Sequence, residues 1–300
     1  MIDPQFSASV AFSRNTGLIS KAEQARLSRA CVAIAGVGGV GGWHALTLAR
    51  QGVGAFHLAD FDTFSIANMN RQAGAFVSTM GRSKVDVVRD MILDINPTAR
   101  VTTWNEPISD VNVDAFLDGT DISLDGIDFF AIDARRLLFE KTRARGNWAL
   151  TAGPLGFGAA LLAFAPDHGM TFDEYFDFDG CADAAERLIA FAVGLAPAGL
   201  HARYMDFGAV DVREMRGPSA GLACQLCGSM VALETLAILL GWHTPAAAPA
   251  FTHMDLRRHA YVRGRARLGN RGPLQRLKRA LFKRHLTKLG VDLGALRPAA

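Results

Sequence analysis

The stretch "CVAIAGVGGVGGWHALTLARQGVGAFHLADFD", residues 31–62, constrains the fold more than any other part of the chain. Cys31–Ala35 is short, apolar and partly β-branched, and reads as a strand. Gly36, Gly38 and Gly41 then form G-x-G-x-x-G, with Gly39 inside it, and "GWHALTLARQG" continues as a helix that Gly52 stops. A second strand, Ala55–Ala59, delivers Asp60. This order is a complete βαβ unit of the nucleotide-binding kind. The glycines permit a tight turn and close approach of backbone to phosphate, and the helix N-terminus supplies free N–H groups with partial positive charge. Asp60 follows the glycines by about twenty residues, where an acid accepts from ribose hydroxyls.

The rest of the chain extends the same alternation. "KVDVVRDMILDINP" is amphipathic and stops at Pro97, "ARVTTWNEPI" reads as a strand, and "IDFFAIDARRLLFEKTRARG" reads as a strand, a loop carrying Asp133 and a helix. "WALTAGPLGFGAALLAFAP" is a strand pair or a strand bent at its glycines. Residues 31 to about 165 therefore predict an α/β, doubly wound, mainly parallel Rossmann-like sheet. "GLISKAEQARLSRA" ahead of it predicts a helix with Ser20 and Glu23 as a capping box. Residues 166–220 are mixed, acidic and aromatic, and predict a crossover or lid segment. Residues 221–241 predict an apolar helix, and 251–262 a late strand or hairpin. The expected division is one domain over 1–262 and a basic tail over 263–300.

With half of its 300 residues apolar, the chain can bury a large core. No uninterrupted apolar run approaches the roughly 18 residues of a membrane span, and "MIDPQFSASVAF" lacks the basic start of a signal peptide. The four cysteines, Cys31, Cys181, Cys224 and Cys227, are too sparse for a disulfide framework. A soluble cytoplasmic protein is expected. The net charge of +3 hides an asymmetry: residues 1–255 carry 19 Lys/Arg against 28 Asp/Glu, whereas 12 Lys/Arg and no acid lie between Asp255 and Asp292.

"DFDTFSIANMNRQ", directly after the second strand, holds more polar side chains than a nicotinamide site needs. Together with the glycine turn and Lys84 on the next helix, it resembles the ThiF/MoeB/HesA adenylyltransferases, the bacterial relatives of ubiquitin-activating enzymes. The likeness covers about residues 10–165 and the helix at 221–241. It implies that Asp60 and Asp62 lie at the nucleotide, that Asp60 binds the ATP ribose, and that Asn68, Arg71 and Lys84 bind the polyphosphate. By the same likeness Gln72 follows the phosphate-binding Arg, Asp133 holds magnesium, and Arg14 reaches the phosphates of the partner subunit in a homodimer. Attack of a carboxylate on the α-phosphate of ATP builds negative charge and expels pyrophosphate, so it needs cations, a metal and fixed geometry rather than a side-chain base.

The pattern departs from the family in three places. Many members carry two C-x-x-C pairs for zinc, whereas only "CQLC" at Cys224 and Cys227 is present, which cannot complete a tetrahedral site. Cys181 stands near the position of the family's acyl-accepting cysteine, but Asp177, Asp179 and Asp183 beside it disfavour a thiolate. The tail places Leu274, Leu277, Leu281 and Leu286 on one helical face among basic residues, which suits an anionic membrane, nucleic acid, an acidic protein surface or plain solvation.

The expected activity is ATP- and magnesium-dependent adenylation of a carboxylate, foremost the C-terminal glycine of a ubiquitin-like or sulfur-carrier protein. The alternatives are a tRNA threonylcarbamoyladenosine dehydratase-like enzyme, adenylation of a small-molecule or peptide carboxylate, and a nucleotide-binding regulator without chemistry. A nicotinamide oxidoreductase ranks last, because it leaves Asn68, Arg71 and Lys84 without a role.

Overall fold

Alternate residues of the first strand leave it in opposite directions, and both directions are buried. In the computed structural model, which describes residues 6–292, Val32 and Ile34 join a core with Phe56, Leu58, Val88 and Val231, while Ala33 and Ala35 join a second core rich in phenylalanine. A strand covered on both faces must sit in the middle of a sheet with helices on either side.

Five strands, β1 (Cys31–Ala35), β2 (Ala55–Ala59), β3 (Arg100–Trp104), β4 (Ile122–Asp125) and β5 (Trp148–Leu155), pair in parallel in the order β3-β2-β1-β4-β5. Three antiparallel strands extend that edge: β6 (Gly158–Phe164), β7 (Ala250–Asp255) and β8 (Ala260–Arg265). The chain is thus α/β, with a mixed, mainly parallel Rossmann-like sheet.

The helices are α1 (Ala8–Ala11), α2 (Lys21–Leu27), α3 (Gly41–Arg50), α4 (Lys84–Ile95), α5 (Val113–Leu117), α6 (Ile132–Ala144), α7 (Phe172–Phe176), α8 (Ala184–Leu195), α9 (Gly221–Leu240) and α10 (Pro273–Lys288). Helices α3, α4 and α9 cover one face, and α5 to α8 the other. Ser20 and Glu23 close α2 reciprocally, as their spacing predicts. Helix α9 is long and apolar enough to cross a membrane, but half of that window is buried in the fold, where α9 packs on α3, β5 and β6.

One strand lies elsewhere than expected. The apolar "IDFF" is a loop, and β4 is the preceding "ISLD". Ser123 and Asp125 look too polar for a buried strand, yet Thr142 Oγ1 donates to Ser123 Oγ at 2.9 Å and Thr151 Oγ1 donates to Asp125 Oδ2 at 2.7 Å. Asp133 is therefore in the first turn of α6, not in a loop after a strand.

Residues 166–220 contain α7, α8 and short 3₁₀ turns rather than open connection. Residue 262 falls inside β8, and α10 lies against α8. Lys283 pairs with Glu186 at 2.9 Å, and Arg271 and Arg279 pair with Asp177 at 3.0 and 3.4 Å. Of the four leucines placed on one face of the tail, Leu286 is buried against Ile189, Val193 and Phe207, while Leu274, Leu277 and Leu281 are exposed.

Three buried imidazoles make stability depend on pH, and burial pushes one of them, His44 on α3, down to about 3. His253 on β7 and His201 on the turn Leu200–Arg203 lie with ring centroids 5.9 Å apart. Among the described residues, neither nitrogen of His253 nor Nδ1 of His201 has a hydrogen-bond partner. Burial pushes both down to about 4, against the weaker opposing pull of Asp255, and His201 lowers His253 further. The unfolded chain binds these protons first, so stability is full above about pH 6.5 and is lost as pH falls toward 4. The melting temperature is expected to fall across that window, and a His253→Gln variant should flatten the fall. A slope unchanged by the substitution would contradict this.

Candidate functional site

The C-terminal ends of β1, β2, β4 and β5 open into one cavity of about 1030 Å³. It lies where the strand order reverses between β1 and β4, the crevice in which such sheets bind ligands. At its floor Gly36 has φ +80°, and a Cβ there would stand 2.2 Å from the carbonyl oxygen of Gly126. A Cβ on Gly41 would stand 1.8 Å from the carbonyl oxygen of Gly36. Both must be glycine for α3 to start against the loop after β4. Gly36, Gly38 and Gly39 line the cavity; Gly41 supports the turn without lining it.

Asp60, just beyond β2, accepts from the backbone N–H of Val37 at 2.9 Å and of Asp62 at 3.0 Å. Burial raises its carboxyl above the ordinary range, and Lys84 opposes that rise. Lys84 opens α4 with a side chain only 7% exposed and pairs with Asp62 at 2.8 Å. Asn68 ends a 3₁₀ turn, where its Oδ1 accepts from Ser65 N and Ser65 Oγ, so its amide nitrogen is the donor left for a ligand. Arg71 donates to the carbonyl oxygen of Ala67 and to Asn70 Oδ1, and has no carboxylate partner among the described residues. Gln72 is buried beside the glycine turn with Oε1 unpartnered. Asp60, Asp62, Asn68, Arg71, Gln72 and Lys84 thus share one cavity wall.

Asp133 is a correction. It does not line the cavity; its side chain is 67% exposed and meets Arg187 at 3.3 Å and Arg136 at 3.9 Å. The acids at the end of β4 are Asp125 and Asp128, and both line the cavity. Asp125 is buried with Arg135, whose Nε donates to it at 2.7 Å. The same guanidinium donates to the carbonyl oxygens of Ile127 and Asp128 and stacks 4.5 Å from the Phe191 ring of α8. Its Nη1 has no hydrogen-bond partner among the described residues. Asp128 accepts from Phe130 N and has no cationic partner for its carboxylate among the described residues. The D-x-x-D spacing of "DGID" is the signal for these acids in the sequence, masked by the more strand-like apolar "IDFF" that overlaps it.

Arg14 lies exposed on a 3₁₀ turn and does not line this chain's cavity. Cys224 and Cys227 are buried in α9, where desolvation raises both thiols. Cys181 is half-buried outside the cavity. Desolvation raises its thiol most, Arg279 opposes, and Asp177 and Glu186 add to the rise. Arg279 Nη2 donates to its sulfur at 3.2 Å, a contact from α10 that the local acids did not disclose.

The family model described as "ThiF family" matches residues 12–275. The tRNA threonylcarbamoyladenosine dehydratase of Bacillus subtilis is 42% identical over 118 residues, which are 39% of this chain and 46% of that protein. The chain thus spans less than half the length of that relative. The molybdopterin-synthase adenylyltransferase of Escherichia coli is 29% identical over 225 residues, 75% of this chain and 78% of that protein. The crystal structure of E. coli MccB with ATP has the same fold, with a TM-score of 0.61 at 16% identity over 82% of this chain and 66% of that one.

Breaking a buried ion pair strands a charge, which costs about 3–5 kcal/mol. Arg135→Met should therefore lower the unfolding free energy in urea by about that amount. Asp133→Asn, on the exposed face of α6, should change it by less than about 0.5 kcal/mol. Equal effects of the two would contradict the buried pairing of Arg135 with Asp125.

Proposed function

The chain belongs to the ThiF family, and on that premise we propose that it activates a carboxylate by adenylation, using ATP and releasing pyrophosphate. The observation that carries this reading is an Arg without a carboxylate partner among the described residues and a buried Lys on one wall, beside a glycine turn and a helix N-terminus. The substrate carboxylate is already ionised at neutral pH, so no general base is required. What the site must supply is compensation of charge on the phosphates and a fixed line of attack.

In this reading Asp60 accepts from the ribose, and the backbone N–H groups at the start of α3 hold phosphate oxygens. Arg71 grips the polyphosphate with its planar fork, Lys84 adds a compact charge oriented by Asp62, and Asn68 donates its amide. Gln72 and the unpartnered Nη1 of Arg135 are further polar groups at the wall. Asp128, in place of Asp133, is the residue that would hold magnesium, which supplies neutralisation of the polyphosphate when bound. Arg14 would act on the site of a second copy in a homodimer. Cys181, raised and outside the cavity, supports release of the acyl-adenylate to an external nucleophile.

Two bearers of the carboxylate have support. A carrier-protein C-terminus is favoured by the adenylyltransferase relative that aligns over 75% of the chain. A tRNA-borne carboxylate is favoured by the higher local identity to the dehydratase and by the basic run after Asp255.

Pyrophosphate–ATP exchange tests the common step. Arg71→Ala, Lys84→Ala and Asp128→Asn should each reduce exchange on the order of a hundredfold or more, as removal of single charge-stabilising groups does elsewhere. Asp133→Asn should leave it within a few-fold of the parent. Tight nicotinamide cofactor binding without ATP binding would end the adenylation reading. Exchange dependent on tRNA rather than on carrier protein would select between the two bearers.

A further inference from the structure

The cavity does not end at the nucleotide wall. Past Pro154 and Leu155 it continues between α8, the stretch after His201 and α10. Its walls there include Ile189, Val193, Met205, Phe207 and Phe282. The acids that line the cavity, Asp60, Asp62, Glu106, Asp125 and Asp128, all belong to the nucleotide part. The ionisable groups that α10 and the turn Leu200–Arg203 bring to the cavity are instead His201, Lys278 and His285. His201 stays uncharged near neutrality, as its buried ring is pushed down to about 4. Lys278 is tethered, donating to the carbonyl oxygen of Pro197 at 2.6 Å.

An apolar chamber without carboxylates, opening onto a phosphate-binding wall, is complementary to a molecule with an apolar body and one negative end. We infer that this lobe receives the acyl part of the carboxylate to be adenylated, and that the substrate is a carboxylic acid with an apolar body. The inference rests on the adenylation reading and deepens it. In that arrangement the apolar body is buried against α8 and α10, which leaves the carboxylate at the mouth shared with the nucleotide part. Much of the selecting wall belongs to α10, whose Lys278, Leu281, Phe282, His285 and Leu286 lie beyond the residues matched by the family model. The basic helix would therefore act as part of the substrate chamber rather than as a separate appendage. The apolar acid could be free or could be the last residue of a peptide, since both present the same chemistry to the lobe.

The test is pyrophosphate–ATP exchange by the full chain with two series of acids. One series is free: butyrate, octanoate and 3-phenylpropionate against citrate and glutamate. The other is peptides ending in Leu or Phe against peptides ending in Gly-Gly or Asp. Apolar acids should support exchange and polar ones should not, and the productive series identifies the source. Ala192→Trp, which fills the lobe from α8, should raise KM for the best apolar acid about tenfold or more, with kcat changed less. Its ATP affinity by calorimetry should stay within about twofold of the parent. Phe282→Ala, which enlarges the lobe, should shift preference toward the longer acid and serves if the tryptophan variant does not fold. Calorimetry of the apolar acids with a non-hydrolysable ATP analogue gives a readout independent of turnover. Intact ATP binding with exchange supported best by Gly-Gly peptides or polar acids, or no apolar acid bound beside the analogue, would overturn the inference alone. Absence of ATP binding would overturn the adenylation reading beneath it.

Discussion

Asp125 and Arg135 are each only 3% exposed, and their charges meet at 2.7 Å at the end of β4. A pair this deep gives little net stability over an apolar replacement, but neither member can be removed alone without leaving a charge in a low-dielectric interior. Its consequence is geometric. Arg135 also holds the carbonyl oxygens of Ile127 and Asp128, so the loop after β4 is bound to α6 and Asp128 is held at the cavity wall. The guanidinium stacks on Phe191, which ties α8 to the same point. Thr151 reaches Asp125 from β5, so three strands, counting β1 paired beside β4, are fixed around one carboxylate. The wall around the glycine turn and the start of the second lobe thus share an anchor.

Around that anchor the charges are sorted by place. Asp62 is bound to Lys84 and Asp125 to Arg135, whereas Arg71 has no acid and Asp128 no base among the described residues. Paired groups shape the wall; the uncompensated cation and anion are the ones with binding capacity to spare. The triphosphate and divalent cation of the proposed reaction would match such a division, with negative charge for the Arg and positive charge for the Asp. The lobe beyond, lined by α8 and α10 and without carboxylates, asks for a different kind of molecule.

The basic helix illustrates how a cluster of like charges is absorbed. Arg271, Arg279 and Lys283 meet Asp177 and Glu186 from the acidic crossover segment, and Asn270 donates to the carbonyl oxygens of Phe176 and Ala190. Arg276, Arg284 and Lys288 remain exposed, next to Leu274 and Leu277. Only part of the amphipathic pattern is therefore consumed by packing, and the buried leucine, Leu286, is the one farthest along the helix.

Much of the architecture was legible in the residues themselves. The strands Cys31–Ala35 and Ala55–Ala59, the capping box of α2, the glycine turn and the hairpin after residue 250 depend on period, turn chemistry and side-chain size within a few neighbouring residues. The likeness to the ThiF family grouped Asp60, Asn68, Arg71, Gln72 and Lys84, and all five line one cavity because a single βα connection carries them there. Three things were decided only in three dimensions. Asp125 and Ser123 are buried in a strand because their partners arrive from Arg135, Thr142 and Thr151, 10 to 26 residues away, so local polarity misplaced β4 and with it the inner acid. Cys181 is governed by burial and by Arg279, 98 residues distant, more than by the acids adjoining it. Helix α10 became a wall of the cavity because Leu286 and Phe282 pack on Ile189, Val193 and Phe207 while Arg279 and Lys283 pair with Asp177 and Glu186. Local rules reach one turn or one pleat along the chain, whereas desolvation and charge pairing depend on whatever the fold brings alongside.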